Sequence, residues 1–402
     1  MTAAAVTVAI IALAGFFALR DTGTTDGQAR PGGSSVGDGT DGGGNGGQDP
    51  GTSTGPVGSA PGNGTQPGAT GPSAATSTTG GTAPTTLPPA VGVLAFASNR
   101  PQADGVFAIN GDGTDERRLA TAPGQYFTPA WSPDGTRLAF VSKRGGNTDI
   151  FVVAADGTGE QRVTTNPGED GAPAWSPDGT RIALVSARGD NADIFVVGPD
   201  GKGERRLTTH AGEDLDPAWS PDGARLAFTS RRDGNTDLFV VGADGKGERR
   251  LTTQEGEDLD PNWSPDGARI AFTSRRGGNT DVFVVGPDEE GERRLTTAAG
   301  EDFDPSWSPD GARLAFDGGR DRNRDVYVDD VDNRREQRIT TSPGEETSPT
   351  WSPEGGRLAF VSDRDGNREL YVVELGSRAE RRVTTHPAAD YDPAWRPAGR
   401  RT

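Results

Sequence analysis

"DPAWSPDGARLAF" occupies residues 216–228, "DPNWSPDGARIAF" residues 260–272 and "DPSWSPDGARLAF" residues 304–316, each copy 44 residues after the last. Every tryptophan of the chain, Trp131, Trp175, Trp219, Trp263, Trp307, Trp351 and Trp395, falls on the same 44-residue spacing. A fixed period of this order marks a repeat architecture, in which each unit buries its apolar surface only against its neighbours.

One unit contains four short segments separated by turn chemistry. The first ends in "PAW" and runs into Ser132-Pro133-Asp134-Gly135, which suits a type I turn with Ser first, Pro second and Gly fourth. A second segment, "RLAFVS" at 137–142, is joined through the Gly- and Asn-rich "KRGGNT" to a third, "DIFVV" at 149–153. The fourth, "QRVTT" at 161–165, follows an Asp156-Gly157 turn. Segments two and three are nearly continuous apolar runs, and the fourth alternates. Two covered central strands and one at an outer rim would read this way. No stretch of the repeats sustains a helical period. The pattern predicts an all-β fold of four-stranded antiparallel blades, a β-propeller, with each Trp filling the gap to the adjacent blade.

The two ends of the repeat set predict how the ring closes. Stepping back one period from Trp131 gives Leu87, with no Trp and no turn motif. The rest of that unit is in register, with "LAFASNR" at 94–100, "VFAI" at 106–109 and "RRLAT" at 117–121. At the other end "DPAW", 392–395, is a first strand followed only by "RPAGRRT". Joining the two gives six complete blades and one composite, a seven-bladed β-propeller closed by one C-terminal and three N-terminal strands.

"PAWSPDGTRLAFVS" followed by "GNTDIFVV" and "RVTT" resembles the TolB-type propeller repeat, over about residues 93–395. The Gly-His and Trp-Asp dipeptides of tryptophan-aspartate repeats are absent. The resemblance implies an envelope protein whose propeller binds other proteins. Two departures limit it: the α/β domain that precedes the propeller in TolB has no counterpart in this sequence, and TolB has six blades where the count here is seven.

The flanking composition sets the expected domain organisation. Residues 3–19 form an apolar run of about the length that crosses a bilayer, roughly 17 to 25 residues. We expect a hydrophobic helix within 1–20 acting as a transmembrane segment or signal anchor. No Lys or Arg precedes the run, although a secretory signal normally begins basic, so the natural start is expected upstream. Cleavage near Ala12-Leu13-Ala14 would instead make the protein secreted. Residues 21–90 are almost all Gly, Ser, Thr, Pro and Ala, a composition expected to be a disordered linker spanning ~45 Å on average. The propeller is assigned to 91–402. The localisation that follows is a single-pass membrane protein with an extracytoplasmic propeller.

The chain has no cysteine, which excludes disulfides and thiolate chemistry. A net charge of −18 argues against a nucleic-acid partner, since phosphate binding needs a positive footprint. His210 and His386 are the only histidines and stand four periods apart, in the same loop of distant units. They are not expected to form a catalytic pair, and no catalytic residue, cofactor or metal ligand is assigned.

Two recurring series are read as structural. Arg144, Arg188, Arg232, Arg276, Arg320 and Arg364 are expected to pair with the acid two positions after Asn147, Asn191, Asn235, Asn279, Asn323 and Asn367, such as Asp237. Those asparagines are expected to take the left-handed turn conformation. A less uniform feature is the acid three residues before the Trp. Asp216, Asp260, Asp304 and Asp392 occupy this place, and Thr128, Ala172 and Ser348 do so elsewhere. These four carboxylates are expected near one mouth of the channel, as a solvated acidic rim or as a tentative cation or partner-docking site. Asp317 and Asp329 break the apolar pattern of their unit. They are expected to be near cross-strand neighbours, salt-bridged by Arg320, Arg322 and Arg324.

These features predict a monomeric, membrane-tethered, non-catalytic module that binds a protein of the cell envelope or a ligand. Two alternatives stay open: the sensor domain of a kinase-linked receptor whose start lies upstream, and a metal-assisted lyase or hydrolase-type propeller enzyme using the acidic rim.

Overall fold

The computed structural model describes residues 92–398. The expected N-terminal helix in 1–20 and linker in 21–90 lie outside the described residues. Within them the chain forms 28 strands and no helix.

The Trp219 unit shows how the sequence makes each sheet. Its strands are Asp214–Trp219, Arg225–Arg232, Asn235–Gly242 and Arg249–Arg250. The first turn closes through Gly223 N donating to Ser220 O at 2.8 Å. Asp222 Oδ1 fixes it by accepting from Ser220 Oγ at 2.5 Å and Ala224 N at 2.9 Å. Gly223 has φ 70°, where a Cβ would be strained. The hairpin that follows pairs Leu226 with Val241 and Phe228 with Phe239, so apolar side chains line both faces of the central strands. The polar fourth strand makes only two pairs, at the outer edge.

The same unit recurs as five four-stranded sheets and one eight-stranded sheet. In the latter, the Trp219 and Trp263 units are joined by a single parallel bridge between Thr236 and Glu257. One four-stranded sheet is composite: Val93–Ser98, Gly105–Asn110 and Arg117–Ala120 take Asp390–Trp395 as their first strand. Leu94 pairs with Trp395 and Ser98 with Asp390, the junction that the orphan strands predict. First strands lie against one another in chain order, and Asp390–Trp395 packs against Gln125–Trp131.

The core lies between consecutive units. Trp219 packs with Ile194, Val196 and Leu207 of the preceding unit and with Leu226 and Phe228 of its own. Its indole Nε1 donates to Ala174 O at 3.1 Å, one residue before the preceding Trp. The equivalent bond is made by every other Trp, including Trp131 to Ala394 O at 3.1 Å. Each indole therefore fills the inter-unit gap and satisfies its one donor there.

Candidate functional site

The residue three before the Trp sits in a β-bulge. The register between first and second strands slips between Leu215 and Ala218, and Asp216 in the slip has φ 52°. Asp260, Asp304 and Asp392 have φ of 55°, 52° and 55°, and Thr128, Ala172 and Ser348 take 44°, 50° and 52°. Left-handed backbone suits Asp better than most residues, because its short polar side chain bonds locally. Asp392 Oδ2 accepts from the backbone N of Thr128, the bulge residue of the next unit, at 3.0 Å. The four aspartates are half-buried at equivalent positions on their first strands. Among the described residues no group of three or more His, Asp or Glu is arranged to hold a metal ion.

The two histidines stay apart and do the same local work. His210 Nδ1 accepts from Gly212 N at 3.0 Å, and His386 Nδ1 from Ala388 N at 3.1 Å.

The recurring Asn and Arg are structural, by a different wiring from the one expected. The left-handed turn position belongs to the residue before the Asn, as in Gly146 at 90°, Gly234 at 84° and Gly366 at 93°. Asn235 Nδ2 instead donates to Asp237 Oδ1 and to Gln254 O, both at 3.0 Å, tying the hairpin to the loop after the fourth strand. Asp237 pairs with Arg250 at 2.6 Å, not with Arg232. Arg232 reaches Asp214 at 3.2 Å and Glu248 at 2.5 Å, with its guanidinium 4.0 Å from the Phe239 ring centre. Arg276 and Arg320 repeat this with Asp258 at 2.7 Å and Asp302 at 2.5 Å.

The acid five residues before the Trp is therefore the one the sequence reading missed. Asp170, Asp214, Asp258, Asp302, Glu346 and Asp390 are fully buried, and Tyr126 takes the place in the Trp131 unit. Recurrence in six units was the available signal. Asp170, Asp214, Asp258 and Glu346 each accept a serine hydroxyl, as Asp258 does from Ser274 at 2.5 Å. Burial pushes the carboxyls of Asp170, Asp302 and Asp390 up to about 6 and that of Glu346 up to about 7, against the pull of Ser, Thr and Arg partners. A second buried acid from the preceding unit adds to the rise: Asp149 acts on Asp170, Asp325 on Glu346 and Glu369 on Asp390.

Asp317 and Asp329 are not cross-strand neighbours. The hairpin register places Asp317 opposite Val326 and Asp329 opposite Leu314. Asp317 pairs with Arg324 at 3.4 Å, while Arg320 turns to Asp302 and Arg322 is exposed. Asp329 is buried without a hydrogen bond to its Oδ1, and burial together with nearby Glu336 and Asp330 pushes its carboxyl up to about 6.

The sequence model of the TolB β-propeller domain matches residues 160–255, 216–316 and 303–402. The chain belongs to this TolB propeller family. Solved structures with the same fold include TolB from Acinetobacter baumannii, at 20% identity and a TM-score of 0.54 over 76% of this chain and 82% of that one. Oligogalacturonate lyase in complex with manganese aligns at 16% identity with a TM-score of 0.57, covering 73% of this chain and 84% of the lyase. A puromycin-hydrolyzing peptidase of Mycobacterium tuberculosis aligns at 17% identity with a TM-score of 0.60 over 71% of this chain, which spans 50% of the peptidase. No curated protein matches the chain by sequence. At these identities the likeness is one of fold, shared by TolB, a lyase and a peptidase.

Proposed function

We propose that this TolB-family chain is a seven-bladed propeller, held outside the cytoplasm by its N-terminal segment, that acts as a non-catalytic protein-binding module of the cell envelope. The seven-blade reading is supported by the pairing of Val93–Ser98 with Asp390–Trp395 and by the return of first-strand contacts from Asp390–Trp395 to Gln125–Trp131. The binding reading is carried by one contrast. The Arg, Asn, Ser and Trp series keep one residue type in nearly every unit and hold the blades in shape. The bulge position varies from Ala172 to Asp216 to Ser348 on an unvarying backbone. A rigid frame with variable, half-exposed side chains suits recognition. Its aspartates favour a partner with a basic face, attracted before contact and weakened by salt.

The test is capture of envelope proteins by the immobilised full chain and by an Asp216→Asn, Asp260→Asn, Asp304→Asn variant, which leaves Asp392 and its bond to Thr128 intact. Salt-sensitive capture that the variant loses supports the reading. Equal capture by both forms assigns binding to another face.

A further inference from the structure

Around the outer rim, a side chain on the fourth strand of one unit bridges to the turn between the third and fourth strands of the next. Gln161 donates to Asp200 O at 3.0 Å, Arg205 to Asp244 O at 2.6 Å and Arg293 to Val331 O at 2.8 Å. Arg117, Arg249 and Arg381 do the same at their junctions. The equivalent residue between the Trp307 and Trp351 units is Gln337, and among the described residues its side chain makes no such bond. A cavity of about 490 Å³ lies at this junction, lined by Gln337 and by the turn that a bridge would reach, at Leu375 and Arg378.

The charged residues of its walls are Arg313, Arg335 and Arg378 with the acids Asp330 and Glu336. Arg335 and Arg378 line it, and neither guanidinium donates a hydrogen bond or forms an ion pair within 4.0 Å among the described residues, although most arginines of the chain are paired. Arg378 Nη1 is buried and without a hydrogen-bond partner. Its backbone is also held at φ 62°, as is that of Arg334 at φ 51° in the same place of the preceding unit, and both turns close by a bond to the residue four before. An unmet buried donor beside a cavity is the pattern of a binding position. Val328, Ile339 and Leu375 supply an apolar floor.

We propose that this cavity binds a small amphiphilic carboxylate, with the anionic group on Arg378 and Arg335 and the apolar part on Val328, Ile339 and Leu375. A guanidinium fork matches a carboxylate in two parallel hydrogen bonds, and the volume is within the usual range for a small-molecule pocket. The site is independent of the bulge aspartates and of any protein partner.

The experiment is calorimetric titration of the full chain with 4-phenylbutyrate and, separately, with inorganic phosphate. Two variants accompany it: Arg378→Gly, which removes the guanidinium where a positive φ suits glycine and so keeps the turn, and Gln337→Arg, which supplies the missing bridge and fills the cavity. Saturable binding of phenylbutyrate, weakened at least about tenfold in both variants while their thermal midpoints hold, is the expected result. No saturable binding to the full chain, equal binding by the variants, or phosphate binding as tightly as phenylbutyrate would overturn the proposal.

Discussion

The guanidinium of Arg396 lies 5.4 Å from the ring centre of Trp131, and its Nε donates to Gly135 O at 2.7 Å. At the other junctions this place belongs to the arginine six residues after the preceding Trp, as with Arg181 at 4.7 Å from Trp219 and Arg313 at 4.7 Å from Trp351. In the composite unit that strand position is Val93, so a residue just beyond the last Trp supplies the missing cation. Arg396→Ala is expected to cost about 1 kcal/mol, comparable with Arg181→Ala, as for a half-buried cation over an indole. Urea unfolding of both variants checks this; a measurable loss for Arg181→Ala with none for Arg396→Ala would remove the tail from the junction.

The bulge offers a stabilising change. Ala172 holds φ 50°, a conformation that costs an alanine roughly 1 kcal/mol relative to glycine. Ala172→Gly is therefore expected to raise the unfolding free energy, and with it the urea midpoint, slightly, by about 0.5 kcal/mol in free energy after the entropy of the unfolded glycine is counted. Asp216→Val should lower it, because a β-branched side chain is a worse occupant of left-handed backbone than Asp. A lower midpoint for Ala172→Gly would contradict the bulge geometry.

The buried acids make stability depend on pH with a definite sign. Asp170, Asp302 and Asp390 titrate at about 6 and Glu346 at about 7 when folded, above the ordinary carboxylate values they have unfolded. Between those values the folded chain binds more protons than the unfolded one, so stability falls as pH rises through the window. The thermal midpoint is expected to climb by roughly 5 °C or more between pH 8 and pH 5. Asp134, held down at about 2 by Ser132, opposes this only in stronger acid. Glu346→Gln should flatten the rise. A midpoint that falls steadily from pH 8 to pH 5 would contradict the assignment of these acids.

The repeat, the turn at Ser132-Pro133-Asp134-Gly135 and the pairing of Leu94 with Trp395 were legible because each is local or set by counting periods. The partner of Arg232 was not. Asp237 is near in sequence, but the register sets Asp214 opposite Ser230 at the buried end of the sheet, bringing it to a guanidinium 18 residues away. Asp317 and Asp329 were misplaced for a related reason: a hairpin turning at Asp321 and Arg322 fixes the pairing, and three positions separate the two acids along it. Gln337 stood out only against the bridges made by its counterparts, which no sequence pattern describes.

Ring closure through the last strand is the claim on which the rest depends, and thermal unfolding of the full chain against a form ending at residue 389 tests it most directly. The shorter form loses the strand Asp390–Trp395, the Trp395 indole packed with Leu94 and Phe96, and the Arg396 contact to Trp131. Backbone pairing and core packing then vanish together, leaving an apolar sheet edge, so the loss should exceed the ~3 to 5 kcal/mol typical of a single Trp→Ala change in a core. The account predicts a large drop in the unfolding midpoint; an unchanged midpoint would contradict closure through Trp395.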